Sequence, residues 1–147
     1  MRKMVLAGIC LLAACTAHTE NGKVSVQPIT DRIGDWSATL TPQNNSGVRG
    51  SVAARSAAIS TGVSISIAGA SSGAQHPWHV HRGGCSDNGA VVGDGSKYPV
   101  LSAGADGTAS ASANIDVGLT EDAVYSVNVH KSPTELNVIV ACGTLHP

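Results

Sequence analysis

The sequence has 147 residues, a formal net charge of −1, 13% charged residues and no phenylalanine. A chain so weakly charged offers no basic field for nucleic acid and no polybasic face for an anionic surface. Alanine, serine, glycine and valine dominate. A core of small and β-branched residues suits many short, closely packed strands better than helices.

Met1-Arg2-Lys3 is a short positive start, and residues 4–14 form an apolar run without charge. The run is far shorter than the roughly 20 residues that span a bilayer, so it reads as a secretory signal over 1–14. Leu12-Ala13-Ala14-Cys15 resembles a bacterial lipobox, which implies cleavage before Cys15 and lipidation of its thiol. Thr16 in the next position resembles the pattern of lipoproteins sent to the outer membrane. The alternative is an ordinary cleaved signal in which Cys15 is incidental. Removing those 14 residues from 147 leaves 133, enough for one domain with a single core.

Residues 15–34 are polar, with Asn21-Gly22 as a turn signal and Pro28 as a breaker. They read as the lipidated cysteine and a flexible tether, with Val24 and Val26 available for one edge strand. The domain proper is expected over 35–147. Trp36 to Leu40 alternates, residues 42–47 turn, and Val48 to Arg55 returns, which makes a hairpin. Between Ala58 and Ala68, Val63, Ile65 and Ile67 fall on one face, the signature of a half-buried antiparallel strand. Ser71-Ser72-Gly73 then turns the chain into a strand over His76 to His81.

The stretch from Cys85 to Gly107 has turn formers but little periodicity, so it is expected as a long loop region. Further strands are expected over Thr108–Val117, Val124–His130 and Leu136–Leu145. Seven or eight short strands with turns between them and no helix predict an all-β fold. An antiparallel Greek-key barrel or sandwich follows.

Once the signal and its anchor are set aside, two cysteines remain, Cys85 and Cys142. In an oxidising compartment their default reading is an intramolecular disulfide. The loop of about 58 residues that it closes would be worth roughly 4 kcal/mol through lost chain entropy. His79 and His81 stand two apart and share a strand face, with Trp78 and Val80 on the other. His130 likewise lies opposite Val127 and Val129. If the two strands are neighbours, three imidazoles converge on one point outside the core. Three neutral nitrogens suit copper, with a coordination position left open. The competing reading is a pair of wet strand faces that happen to carry histidine.

The blocks His76-x-x-His79-Val80-His81, Gly84-Cys85, Ala105-Asp106-Gly107-Thr108-Ala109, Val127-x-Val129-His130 and Ala141-Cys142-Gly143 together resemble the copper/zinc superoxide dismutase family. The resemblance covers about Gly73 to Leu145 and implies a Greek-key β-barrel. It implies that His79, His81 and His130 are copper ligands and that His76 supports them from within the fold. It also implies a disulfide between Cys85 and Cys142. Family members often dimerise, which leaves a homodimer open.

The departures are as informative. No histidine lies between His81 and His130, where the family's bridging imidazole and other zinc ligands would fall. Asp87, Asp94 and Asp106 remain there, and a zinc site without histidine or cysteine is not expected. Ile139 stands where the family carries a guiding arginine, and Arg82 and Lys131 are the nearest charges that could replace it. His18 and His146 are fourth-ligand candidates by elimination only.

A second resemblance, to chordin-type (CHRD) domains, rests on His79-Val80-His81, on residues 87–92 (Asp-Asn-Gly-Ala-Val-Val) and on Tyr125-x-Val127-Asn128-Val129-His130. The expected function is therefore a lipid-anchored envelope protein of the periplasm, facing no nucleic acid, that binds one copper and no zinc. Its partner would be superoxide, dismutated weakly, or a copper donor or acceptor. The alternative is a non-catalytic CHRD-like binding or structural domain of the envelope.

Overall fold

The computed structural model describes residues 34–147 except Asn88, together with the backbone of two earlier strands. The signal segment lies outside the described residues, as does the side chain of Cys15. The chain divides into two compact units, Met1–Asp31 and Arg32–Pro147. In the first, β1 (Cys15–Glu20) and β2 (Lys23–Pro28) form an antiparallel hairpin in register Cys15↔Pro28 to Glu20↔Lys23. Val24 and Val26 thus lie on a strand, but it pairs with β1 in a two-stranded sheet of its own.

The second unit is all-β. Its strands are β3 (Gly34–Pro42), β4 (Arg49–Ser56), β5 (Thr61–Ala68), β6 (Gln75–His76), β7 (Trp78–Arg82), β8 (Leu101–Ser102), β9 (Ala109–Ile115), β10 (Tyr125–His130) and β11 (Ile139–Leu145). Seven of them make one curled antiparallel sheet, a half-barrel, in the order β7-β10-β11-β3-β4-β5-β9. β3, β4 and β5 run as a meander. The chain then crosses to the opposite edge for β7, returns beside β5 for β9, and crosses back for β10 and β11.

Alternation explains the meander. Trp36, Ala38 and Leu40, then Val52 and Ala54, then Val63, Ile65 and Ile67 are buried, and the residues between them face outward. Trp78 and Val80 on β7 and Tyr125, Val127 and Val129 on β10 complete the interior and are almost wholly buried. Each such side chain contributes about 1.5–3 kcal/mol through removal from water. Without phenylalanine, edge-to-face pairs fill the widest parts of the core. Trp36 meets Tyr125 at 5.7 Å between ring centres, and Trp78 meets Tyr98 at 5.0 Å.

The larger differences from the sequence reading have physical causes. The strand expected over His76 to His81 is broken by Pro77, which has no N–H for a ladder. Its first piece, β6, pairs instead with β8 in a separate two-stranded sheet. The long loop after Cys85 contains that β8 strand and a 3-10 turn at Gly95–Lys97, whose N-cap is the Asp94 side chain. The last strand begins at Ile139 rather than Leu136, and the strand after residue 58 begins at Thr61. With β6 and β8 the unit has nine strands rather than seven or eight.

The Cys85–Cys142 disulfide is formed, with Cα atoms 5.9 Å apart. It fastens the loop after β7 to β11, two strands away across β10.

Candidate metal centre

β7 is an edge of the large sheet, and β10 is its only ladder partner there. Their register sets Ser126 opposite His81, Asn128 opposite His79 and Val129 opposite Trp78. Directly opposed residues point to one face. The core side therefore takes Trp78, Val80, Val127 and Val129, and the other side takes His79, His81, Ser126 and Asn128. His130 follows at a β-bulge after Val129, where its N–H donates to the Pro77 carbonyl at 2.8 Å.

Three imidazoles meet as a result. His79 Nδ1 and His130 Nε2 are 3.1 Å apart, and one nitrogen from each of His79, His81 and His130 lies within 4.8 Å of the others. Nitrogen ligands about 2.0–2.1 Å from one metal would stand roughly 3.3–3.5 Å apart, so the closest pair is already near a coordination edge. Among the described residues these three form the metal-compatible cluster, and aspartate takes no part in it.

Neighbouring groups fix the tautomers. The Nδ1–H of His81 donates to the Gly89 carbonyl at 2.8 Å, which leaves Nε2 as the lone-pair atom. That Nε2 is buried and has no hydrogen-bond partner. A buried lone pair facing two other imidazoles fits a cation. His76, itself buried, donates its Nδ1–H to the His130 carbonyl at 2.9 Å and so braces the third histidine of the cluster from behind. Tyr98 donates its hydroxyl to the Val92 carbonyl at 2.8 Å and sets its ring edge against His79, 5.2 Å between centres. Burial pushes the Tyr98 phenol up to about 12.

The sequence reading placed these histidines on the outer side of their strands, and they are there. That side is nevertheless covered. All six residues of β10 are buried, His130 at 5% exposure, while His79 and His81 are half-buried. Residues 89–92 run beside β7, with the Arg82 N–H donating to the Ala90 carbonyl and the Val92 N–H to the Val80 carbonyl. Leu136 and Asn137 close the other side of a cleft of about 110 Å³ that includes His81, Asn128 and His130.

Burial has an electrostatic consequence. Desolvation first, then the neighbouring His130 and His81, hold His79 down at about 4. Desolvation likewise lowers His130, against an opposing contribution from the Leu136 carbonyl. Both rings are neutral at neutral pH and keep their lone pairs.

The remaining candidates serve elsewhere. Asp87 accepts from the Gly84 N–H at 2.7 Å, Asp94 from Ser96 at 2.9 Å and Asp106 from Thr108 at 3.0 Å, so each carboxylate caps a turn. Lys131 is paired with Glu135 at 2.8 Å, and the Arg82 guanidinium lies 5.8 Å from the Tyr125 ring centre. Ile139 lines the cleft. His146 is exposed and joins Ser37 through a backbone bridge. The His18 side chain lies outside the described residues.

Sequence reasoning missed Gly89, Tyr98, Leu136 and Asn128. Of these only Asn128 carried a signal, as an amide on the same strand face as a candidate ligand. No family model matches the chain, and no curated protein sequence matches it.

Proposed function

We propose that this protein is an envelope lipoprotein whose domain holds one copper ion through His79, His81 and His130. The observation that carries the proposal is the buried, unpartnered Nε2 of His81 facing the His79–His130 pair. Three imidazoles favour copper, since first-row affinities for nitrogen sites peak at Cu(II) and imidazole also accepts Cu(I). A bound copper would supply one-electron redox chemistry. The chain's own residues keep the ligands neutral, fix the His81 tautomer through Gly89 and exclude most water with the two flanking loops.

Holding or transferring copper suits these residues better than rapid superoxide turnover. The two cations beside the ligands are engaged with Glu135 and Tyr125, so neither stands free to steer an anion, an effect worth about 10- to 1,000-fold in encounter rate. The superoxide dismutase resemblance and the lipobox support the family and the envelope location, and dismutation is expected to be slow.

One observation favours the CHRD-like, metal-free reading: His79 and His130 can hydrogen bond to each other at 3.1 Å without a metal. Copper titration of the chain from Cys15 onward, against a competing chelator and beside His79→Ala and His130→Ala, separates the two. The proposal expects one copper per chain and at least about tenfold weaker binding in each variant. Equal binding by all three proteins would end it. Superoxide consumption by the loaded protein then distinguishes a slow dismutase from a copper carrier.

A further inference from the structure

Among the described residues, six buried side-chain polar atoms lack a hydrogen-bond partner, and four of them share one sheet face: His81 Nε2, Ser126 Oγ, Asn128 Oδ1 and His130 Nδ1. Buried polar atoms without partners are rare in native folds, and a cluster of them marks a place where something else supplies the partner. His81 Nε2 has an account in the site above, as the lone pair left free by the Gly89 contact. Asn128 does not.

Its position is central. Asn128 stands directly opposite His79 on β7, two residues before His130 on its own strand face, and diagonal to His81. On the other side it opposes Cys142, so His79, Asn128 and Cys142 form one row across three strands. The side chain is 95% buried, at 5% exposure, and lines the same cleft as His81 and His130. An apolar residue would fit such a floor at no cost in hydrogen bonding, whereas a carboxamide without partners is costly to bury.

We infer that Asn128 supplies an oxygen donor to the copper held by the three histidines, and thereby favours Cu(II) over Cu(I). This rests on the copper reading above and deepens it. A carboxamide oxygen is a hard donor, preferred by the more highly charged ion, whereas Cu(I) is satisfied by softer ligands. Bringing the oxygen onto the metal also satisfies Asn128 Oδ1, which is buried without a hydrogen-bond partner. Ser126, fully buried opposite His81, continues the polar floor beneath the ligands.

The test uses the full exported chain, loaded with Cu(II) or Cu(I) and titrated against chelators specific to each. The proteins are wild type, Asn128→Leu, Asn128→Asp and His130→Ala. Thermal unfolding and a thiol count confirm that each variant is folded with its disulfide closed. Asn128→Leu should weaken Cu(II) binding about tenfold or more while leaving Cu(I) nearly unchanged. A tenfold change in that ratio raises the copper potential by about 59 mV. Asn128→Asp, which keeps an oxygen and adds charge, should move the ratio the opposite way. The Cu(II) paramagnetic resonance spectrum should change in Asn128→Leu towards a site with one oxygen fewer.

An unchanged Cu(II) to Cu(I) ratio and an unchanged spectrum in both Asn128 variants, with His130→Ala still impaired, overturn the Asn128 assignment alone. Copper bound equally by wild type and His130→Ala overturns the three-histidine reading and this inference with it. If Asn128→Leu does not fold, Asn128→Asp decides by the direction of its shift.

Discussion

Gly89→Ala tests how the site is held more sharply than loss of a ligand does. A Cβ at residue 89 would lie 1.7 Å from the Arg82 carbonyl oxygen and 2.7 Å from its carbon. Carbon and oxygen approach to about 3.3–3.6 Å at closest, so the segment must retreat by roughly 1.5–2 Å. The atom behind the clash is strand backbone, which cannot swing aside. Retreat of that size breaks the 2.8 Å bond from His81 Nδ1–H to the Gly89 carbonyl and strains the adjoining 2.9 Å bond between Arg82 and Ala90. His81 then loses the contact that fixes its tautomer, and copper affinity should fall about 10- to 100-fold. Overpacking should also lower stability by about 1–3 kcal/mol. Chelator-competition titration and thermal unfolding of the same preparation read both effects. Wild-type copper affinity in a folded Gly89→Ala protein would refute the claim that this carbonyl orients His81.

Three further predictions concern stability. Cys85→Ser with Cys142→Ser opens a bond between residues 57 apart and should cost about 4 kcal/mol, read by urea unfolding; a cost near zero would mean that the loop is held without it. Metal-free protein should lose stability on acidification, because the His79 pKa is lowered from 6.5 to about 4 by folding. Above 6.5 both states are neutral there. Between 6.5 and 4 only the unfolded chain gains the proton, so stability falls, and below 4 the loss levels off. Discounted for its half-exposed ring, this should amount to about 1–2 kcal/mol, and His79→Gln should flatten the profile measured by thermal unfolding. Lys131→Ala removes an exposed i,i+4 pair with Glu135 and should cost no more than about 0.5 kcal/mol, with copper affinity unchanged; a large loss of affinity would give Lys131 a part in the site.

Much of the fold is legible because alternation has a direct physical cause. Val63, Ile65 and Ile67 could face only one way once their strand was half-buried, and β5 places all three in the core. The all-β class follows from such segments, and the Cys85–Cys142 pairing follows from there being two cysteines in the domain expected over 35–147. The histidine face follows from the two-residue repeat. Alternation cannot say whether an outward face is wet. Ser126, Asn128 and His130 look like solvent-facing residues, yet loops distant in sequence bury them. Nothing local marks the Gly89 carbonyl as the partner of His81, because that bond depends on where a loop without periodicity comes to rest. Pro77 was visible, but its effect of transferring β6 to a separate sheet needed β8 as a partner, and two residues of β8 are too few for a pattern.

The segment over residues 89–92 has a second consequence, arising from the place of β7 in the sheet. An edge strand carries a row of backbone groups open to pairing with another chain. The Arg82 and Val92 bonds along this side occupy part of that row. The same four residues that settle His81 therefore also blunt a sticky margin of the protein. Loosening this segment should therefore disturb the His81 contact and uncover the edge strand together. A loosened segment would show itself first as chain-to-chain pairing at high concentration, before any change in the core.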